Sequence, residues 1–481
     1  MKLENTISRL MLVYFSVYFA IAAGQFALFS FMLDIKPVVF IEALAWIALL
    51  TAAAGRIPER RAWMALGAAG LLTKMLWIAM VQTPPVSDFS LMYHSAREMM
   101  EGGREYLNNI YYRRFPYQTG FTAYQALVLS VFDSVTFLKL VNAFWCAVAS
   151  LAVYGIAREA FSRKTAVLAM LLHVTLLPLL LMSSVLTNQH IAAAWLYCGL
   201  YVWLKFGRVS WFGAGAAGAL IAVGQVMRPI GIVVIAAIAV NELIRLAAQR
   251  SKREVFGAMK AGVAVAAYWL VFTLAGTILS QTGISPDGLR NNDPLWKFMT
   301  GLNAAANGSY SKGDERLLNY GYMNPEKRTA LEKEIIRERL TDWRNMVKLP
   351  FVKIGKLWAD YQPYWFTFPK KSGTSFLYLG WTVRFDEVIG TYRQFERAVF
   401  YWLALPAFCG VIRFLRREFA DGKKRLIVLV IGAYTFAHLF VEVQPRYMYF
   451  LFGPLLAFSA EEWLYWKSRL FGAIRTYVHS R

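Results

Sequence analysis

Long apolar runs constrain the fold of this 481-residue chain more than any other feature. Hydrophobic residues make up 57% of the sequence and charged residues 17%, and the hydrophobic residues are gathered into runs. A helix needs about 20 mostly apolar residues to cross a bilayer, because its backbone amides must be satisfied within the segment. The pattern therefore predicts about twelve transmembrane helices, within a range of about 10 to 13. They cover residues 10–33, 38–54, 62–81, 135–157, 165–183, 190–206, 211–226, 230–246, 261–280, 397–415, 426–442 and 447–463.

The basic residues predict how these helices are oriented. The formal net charge is +22, and cytoplasmic loops are enriched in lysine and arginine. With the spans above, the basic clusters Arg56–Arg61, Arg158–Lys164, Lys205–Arg208, Arg245–Arg253 and Arg413–Arg425 fall on one side, together with Lys2, Arg9 and the basic C-terminal tail from Lys467 to Arg481. Long translocated loops escape this bias, so their basic residues do not contradict it. Both termini are therefore predicted in the cytoplasm of an integral multi-pass protein of the plasma (inner) membrane. Nucleic-acid binding also favours basic chains, but no nucleic-acid partner is expected because the charge is distributed between spans.

Two segments on the opposite side are too long to be simple connectors. Long loops in compact proteins are usually functional. The chain is therefore predicted to be an all-α polytopic membrane protein whose two large extracytoplasmic loops carry interfacial helices. Its parts are N-terminal transmembrane helices (1–81), a first outer loop (82–134), central transmembrane helices (135–280), a second outer loop (281–396), and C-terminal transmembrane helices with a basic cytoplasmic tail (397–481).

Asp88 is the candidate catalytic residue. Pro84-Pro85 ends the third predicted span, Ser87 is predicted to cap a new amphipathic helix that begins at Asp88, and Gly102-Gly103 is predicted to end it. One interpretation is purely structural: an aspartate at this position stabilises the helix N-terminus through the helix dipole. Ionisable residues beside the hydrocarbon are costly and tend to be functional, so both interpretations stay open. His94, on the same helix, is a candidate assistant or an interfacial polar residue.

Two arginines are predicted in outer turns, where the orientation rule disfavours basic residues. Arg228 and Arg446 each suit an anion, either lipid headgroups at the membrane surface or one specific phosphate, since a guanidinium binds phosphate bidentately. Glu442 is an alternative partner for Arg446. Lys356 adds a cation on an amphipathic stretch of the second loop, where membrane anchoring is the alternative role.

Motifs for other chemistry are missing from the sequence. The five histidines lack metal-ligand spacing. No Walker-type phosphate loop or Gly-x-Ser-x-Gly elbow is present. The sequence supports no cofactor, and a divalent metal is left open without a ligand motif.

Several short motifs resemble the GT-C superfamily of integral-membrane glycosyltransferases, the polyprenyl-phosphate-sugar-dependent enzymes related to protein O-mannosyltransferases and aminoarabinose transferases. They are Asp88-Phe89, Tyr93, Ala96 and Gly102-Gly103, the segment 156–166, and Pro445-Arg446-Tyr447. The resemblance covers most of the chain at the level of layout. Two features depart from it: three spans precede the aspartate loop where many relatives have one, and Thr187-Asn188-Gln189-His190 stands where many relatives carry Thr-Glu.

The resemblance implies transfer of a sugar from a polyprenyl-phosphate-linked donor to an extracytoplasmic acceptor, with inversion at the anomeric carbon. The acceptor class stays open among cell-envelope glycans, lipids and proteins. Asp88 would be the general base, and Arg228 and Arg446 would stabilise the departing lipid phosphate. The remaining candidate substrate-binding residues are Lys356, Tyr93, His94 and Tyr447.

Two alternatives remain. A lipid-linked glycan flippase or transporter would carry charged residues deep within several helices, along a path. A glycan ligase or polymerase would use a lipid-pyrophosphate donor and depend on the arginines more than on Asp88.

Overall fold

The computed structural model describes residues 2–81, 83–318, 324–360, 375–378 and 381–479. These residues are mostly α-helical. The helices are α1 Lys2–Met32, α2 Pro37–Ala54, α3 Glu59–Met80, α4 Asp88–Met100, α5 Ile110–Arg114, α6 Thr119–Val131, α7 Val135–Ala160, α8 Arg163–Thr175, α9 Leu177–Met182, α10 Gln189–Val202, α11 Trp211–Met227, α12 Gly231–Gln249, α13 Lys252–Gln281, α14 Trp296–Gly301, α15 Lys312–Leu318, α16 Pro325–Thr341, α17 Trp343–Trp358, α18 Phe385–Arg417, α19 Gly422–Phe440 and α20 Phe452–His479.

Seven helices in the described part of the chain are long and apolar enough to cross a membrane. They are Leu3–Met32, Pro37–Ala54, Trp63–Met80, Val135–Ala160, Gly231–Gln249, Lys252–Gln281 and Tyr392–Arg417. Large apolar side chains on several of them are exposed, including Leu10, Leu49 and Leu270, as expected for surfaces that face lipid. The protein is therefore a helical membrane protein, while the count of about twelve spans stays a prediction.

Three of the other five predicted spans are helical but shorter or interrupted, whereas residues 426–442 fall mostly in the continuous helix α19 and residues 447–463 in a 3-10 helix followed by α20. Residues 165–183 form α8 and α9, which are separated at Leu176. Pro178 lies in the first turn of α9, where a backbone N–H has no partner within the helix. Inside a continuous helix, proline would remove a backbone hydrogen bond and clash with the preceding turn. Residues 190–206 form α10 and a π-helical turn, Trp203–Gly207. Helix α11, Trp211–Met227, has 17 residues.

A β-hairpin in the second outer loop departs from the all-α prediction. Strands β1, Ser375–Tyr378, and β2, Trp381–Arg384, pair antiparallel with Ser375 opposite Arg384. The aromatic and β-branched residues in these two short runs favour strands. The chain is thus predominantly helical with one described hairpin.

The two outer loops pack against each other through a buried arginine. Arg114, at the end of α5, donates from Nε to Asp293 Oδ2 over 2.8 Å. Its guanidinium carbon lies 4.8 Å from the centre of the Phe115 ring and 4.6 Å from that of Trp296. Breaking a buried ion pair leaves an uncompensated charge, so this contact holds the loops in a fixed relation.

Ion pairs join several of the residues predicted on the cytoplasmic side. Arg425 donates to Glu4 over 3.2 Å, and Lys423 lies 2.7 Å from Glu159. These contacts gather the N-terminus, α7 and α19 at one end of the helical bundle. Which end faces the cytoplasm stays a prediction from the charge pattern.

Candidate functional site

Helix α4 begins at Asp88, as predicted, and Asp88 is exposed to solvent. The neighbouring residues Phe89 and Met92 are buried. The predicted Ser87 cap is wrong: the Ser87 side chain makes no capping hydrogen bond, and its backbone has φ +53°. A residue with a side chain pays about 1–3 kcal/mol in such a conformation. The entry to α4 is therefore a strained turn that fixes the direction of the first residue.

Arg446 lies beside the start of this helix. It belongs to the 3-10 helix Pro445–Leu451, which precedes α20. Its guanidinium carbon is 5.7 Å from the centre of the Phe89 ring and 5.9 Å from that of Tyr447. A cation over an aromatic face is attracted by the ring quadrupole. The first outer loop and the last outer turn therefore meet at Asp88-Phe89.

Arg228 joins the same aromatic cluster from another direction. It follows α11 directly and donates from Nη1 to Asn188 Oδ1 over 2.9 Å. Its guanidinium carbon lies 5.1 Å from the centre of the Tyr447 ring, so Tyr447 contacts both arginines. The structure thus brings together three of the predicted site residues, Arg228, Arg446 and Tyr447, and Asp88 is linked to them through its chain neighbour Phe89, which contacts Arg446.

Glu442 forms an ion pair with a residue that the sequence did not suggest. Its carboxylate is buried and pairs with Lys297, Gln444 Nε2 donates to it over 2.6 Å, and Arg446 also attracts it electrostatically. The backbone N–H of Glu442 also donates to the Lys297 carbonyl over 2.8 Å. Burial acts to lower the pKa of Lys297, but Tyr447, Glu442 and Tyr117 outweigh it and raise that pKa. Lys297 therefore stays a cation at neutral pH.

Two tyrosines of the first outer loop face the charged groups. Burial raises the pKa of Tyr111 well above its usual value, the negative charge of Asp88 raises it further, and Arg446 opposes this rise. Burial also raises the pKa of Tyr117, which Lys297 and other charged groups of the site surround. Both phenols therefore stay protonated and able to donate hydrogen bonds.

Lys356 lies on α17, at the edge of the site. Partial burial lowers its pKa, while Asp360 and Glu442 raise it. Its neighbour Lys353 is buried and donates from Nζ to three carbonyls: Gly301 at 2.9 Å, Leu439 at 2.9 Å and Val441 at 2.7 Å. Lys353 therefore fixes the backbone immediately before Glu442, whereas a role of Lys356 in substrate binding stays a prediction.

Tyr93 and His94 lie farther along α4, with different surroundings. Tyr93 is buried in a separate apolar cluster that includes Ala126 and Leu138, from α6 and α7. His94 is exposed, and its Nδ1 lies 2.7 Å from the Ser90 carbonyl within the same helix. These contacts hold α4 in place, and substrate binding by either residue stays a prediction.

Four residues at the site were not singled out by sequence reasoning: Asn188, Lys297, Tyr111 and Tyr117. Tyr111 and Tyr117 belong to a run of aromatic and basic residues, 111–117, of the kind that is typical of membrane interfaces. Asn188 was visible only as a departure from the Thr-Glu pattern. Lys297 carried no signal, because nothing local distinguishes it from any lysine of a long loop. Within the described ranges, no cluster of three or more His, Cys, Asp or Glu side chains suits a metal ion.

Comparisons with known proteins give structural likeness alone. No protein-family model matches the chain, and no curated protein matches it. Solved structures of the archaeal oligosaccharyltransferase AglB from Archaeoglobus fulgidus do match. Its complex with an inhibitory peptide and a dolichol-phosphate is 14% identical with a TM-score of 0.42, over 87% of this chain and 52% of that one. Its complex with Zn and sulfate is 15% identical with a TM-score of 0.46, over 84% and 49%.

The chain thus spans about half the length of the AglB chain that it matches.

Proposed function

We propose that this protein is an integral-membrane glycosyltransferase. It moves a sugar from a polyprenyl-phosphate-linked donor to an extracytoplasmic acceptor, which is a cell-envelope glycan, a lipid or a protein. The proposal rests above all on the cluster that Arg228 and Arg446 form with the rings of Phe89 and Tyr447, since Phe89 directly follows the exposed Asp88 in the chain. A base and a pair of phosphate-binding cations are the groups that such a transfer requires.

The proposed reaction is a displacement at the anomeric carbon. The acceptor hydroxyl or amine attacks from the face opposite the lipid phosphate, and the bond between the anomeric carbon and the phosphate oxygen breaks as the new bond forms. Asp88 takes the proton from the acceptor. The departing lipid phosphate gains a negative charge, which Arg228 and Arg446 stabilise. The product sugar has the inverted configuration.

The contacts of the two arginines suit this task. Aromatic rings contact both guanidiniums by their faces, and the N–H groups at a guanidinium edge suit oxygen ligands, as the bond from Arg228 Nη1 to Asn188 Oδ1 shows. Lys297 supports the same site as a third cation, with its charge balanced by Glu442. Tyr111 and Tyr117 add phenol donors that suit sugar or phosphate oxygens.

The first experiment is mass spectrometry of cell-envelope glycans and lipid-linked sugars, with and without the gene. It identifies the sugar that is lost from an acceptor and accumulates on a lipid. The purified protein is then assayed with that polyprenyl-phosphate sugar. Unchanged glycans and unchanged lipid-linked sugars in the deletion strain would refute the proposal.

One observation favours the transporter alternative. Lys74 is fully buried in α3, within a candidate span, and its Nζ has no hydrogen-bond partner among the described residues. Buried cations within membranes commonly mark substrate paths. A transporter would move a lipid-linked sugar across vesicle membranes without cleaving it, so release of free polyprenyl phosphate during turnover separates the two functions. A ligase or polymerase would release a lipid pyrophosphate instead.

A further inference from the structure

The geometry points to a positioning role for Asn188 and Gln189. We propose that these two side chains hold Arg228 and Arg446 in register around Tyr447, where a phosphate ester would bind, without adding a negative charge beside either arginine. This inference rests on the proposed function, since it explains how the phosphate-binding pair is built. Both residues are 3% exposed, so their amide groups are committed to the protein interior.

Asn188 does not make the capping hydrogen bond that is usual at its position. It precedes α10 as the N-cap residue, where an asparagine side chain usually accepts a hydrogen bond from the first turn of the helix. Here it makes no capping bond. Its Oδ1 accepts from Arg228 Nη1 over 2.9 Å, and its Nδ2 donates to the Met227 carbonyl over 3.1 Å. Asn188 therefore binds both the side chain of Arg228 and the residue before it.

Gln189 fixes the other arginine through its backbone. Its Nε2 donates to the Arg446 carbonyl over 2.6 Å. The next residue, His190, has its Nδ1 2.6 Å from the Tyr449 hydroxyl. The first turn of α10 is thus joined at two points to the 3-10 helix that carries Arg446 and Tyr447. Because Asn188 also binds the Arg228 side chain, the single segment 188–190 helps to place both arginines.

The neutrality of these amides matters as much as their geometry. A carboxylate at position 188 would form an ion pair with Arg228, as Glu442 does with Lys297. The paired guanidinium would then attract a phosphate less, because a buried opposite charge already balances it. An amide oxygen orients the guanidinium without adding a negative charge. Asn188→Asp is therefore a nearly isosteric change that alters the charge and preserves the shape.

The test measures binding of farnesyl phosphate to the full-length protein in nanodiscs, with farnesol as the uncharged counterpart. We expect Asn188→Asp to weaken farnesyl phosphate binding at least about tenfold while changing farnesol binding less than about twofold, because the variant adds a negative charge beside Arg228 and removes the bond to the Met227 carbonyl but keeps the side-chain volume. The matched control is Asn241→Asp. Asn241 is also buried and accepts from an arginine, Arg425 Nε, over 2.9 Å in another part of the bundle. The Asn241→Asp variant should bind both farnesyl phosphate and farnesol within about twofold of wild type.

Gln189→Met provides a second variant in case Asn188→Asp does not fold. It keeps the side-chain length and removes the bond to the Arg446 carbonyl, so farnesyl phosphate binding should again weaken selectively. Arg228→Ala tests the proposed function itself. If Arg228→Ala weakens binding while Asn188→Asp and Gln189→Met bind farnesyl phosphate like wild type, the positioning role is overturned and the proposed function stands. If Asn188→Asp weakens the binding of farnesol as much as that of farnesyl phosphate, the positioning role is also overturned. If Arg228→Ala binds farnesyl phosphate like wild type, both the positioning role and the proposed function are overturned.

Discussion

The guanidinium carbon of Arg446 lies 5.7 Å from the centre of the Phe89 ring, and Phe89 follows Asp88 directly in the chain. This contact joins the first outer loop to the turn before the last helix. It brings a cation to the residue that follows the candidate base, although neither segment contains both groups. The relation between Asp88 and Arg446 therefore depends on how the two segments pack.

We expect Asp88→Asn to lower the rate of sugar transfer by about 100- to 10,000-fold, the range over which general bases contribute. Asp88 is exposed at a helix start, so the thermal unfolding temperature should change little. Asp133→Asn is the matched control, since Asp133 is another exposed aspartate of the first outer loop, paired with Arg97 at 3.0 Å. Full transfer activity in Asp88→Asn would remove Asp88 from the mechanism.

Replacing Phe89 with leucine keeps an apolar side chain but removes the ring under Arg446. A cation–π contact of about 0.5–1 kcal/mol corresponds to a two- to fivefold change in binding. We therefore expect the KM for the lipid donor to rise about two- to fivefold with little change in kcat. Steady-state kinetics over a range of donor concentrations measures both, and an unchanged KM would show that the ring does not help to place Arg446.

Arg228→Lys and Arg446→Lys keep the positive charge and remove the planar fork that binds phosphate bidentately. The KM for the donor should rise about tenfold in each variant, and more in the corresponding alanine variants. Arg344→Lys, on the exposed start of α17, is the control and should be neutral. Unchanged donor dependence in both alanine variants would show that the phosphate is held elsewhere.

Lys353→Met should destabilise the protein by about 2–4 kcal/mol, because three buried carbonyls lose their donor. Unfolding in mild detergent measures the loss, and Lys348→Met, an exposed lysine of the same helix, is the control. Equal stability of the two variants would contradict the structural role of Lys353.

The titration of Lys353 adds a pH dependence. Burial lowers its pKa to about 7, with Glu442 acting the other way, from an ordinary value of 10.5. Between these values the unfolded chain binds more protons than the folded one, so the free energy of unfolding should rise as pH increases from about 7 to about 10.5. Lys353→Met should lack this component of the rise. If the free energy of unfolding depends on pH in the same way for wild type and Lys353→Met, the pKa of Lys353 is not lowered.

Ser87→Gly should relieve the strained turn before α4. Glycine adopts φ near +53° without the steric cost that serine pays, so the variant should be equally stable or more stable by about 1 kcal/mol. Transfer activity should fall, since the freed turn no longer fixes the direction of Asp88. Unchanged activity, measured beside the unfolding temperature, would show that the strain has no role in placing Asp88.

Local sequence patterns predicted much of the helical layout. The start of α4 at Asp88 and its end before Gly102 follow from an amphipathic run bounded by proline and glycine, because these residues act within one turn. The Ser87 cap failed for a local reason, since the chain enters α4 in a conformation that turns the serine away from the helix. The β-hairpin was missed because two four-residue strands in a long loop give little periodic signal.

The sequence by itself determined that this chain forms apolar helices, because the composition and length of each run allow no other way to satisfy the backbone in a membrane. It also identified Asp88, Arg228 and Arg446 as candidates, since charged residues are costly at those positions. Only the tertiary structure decided that Arg228 and Arg446 share the Phe89–Tyr447 cluster next to Asp88 in the chain, that Glu442 pairs with Lys297, and that Asn188 binds Arg228. Such pairings join residues far apart in the chain, and they depend on the packing of whole helices, which no local pattern encodes.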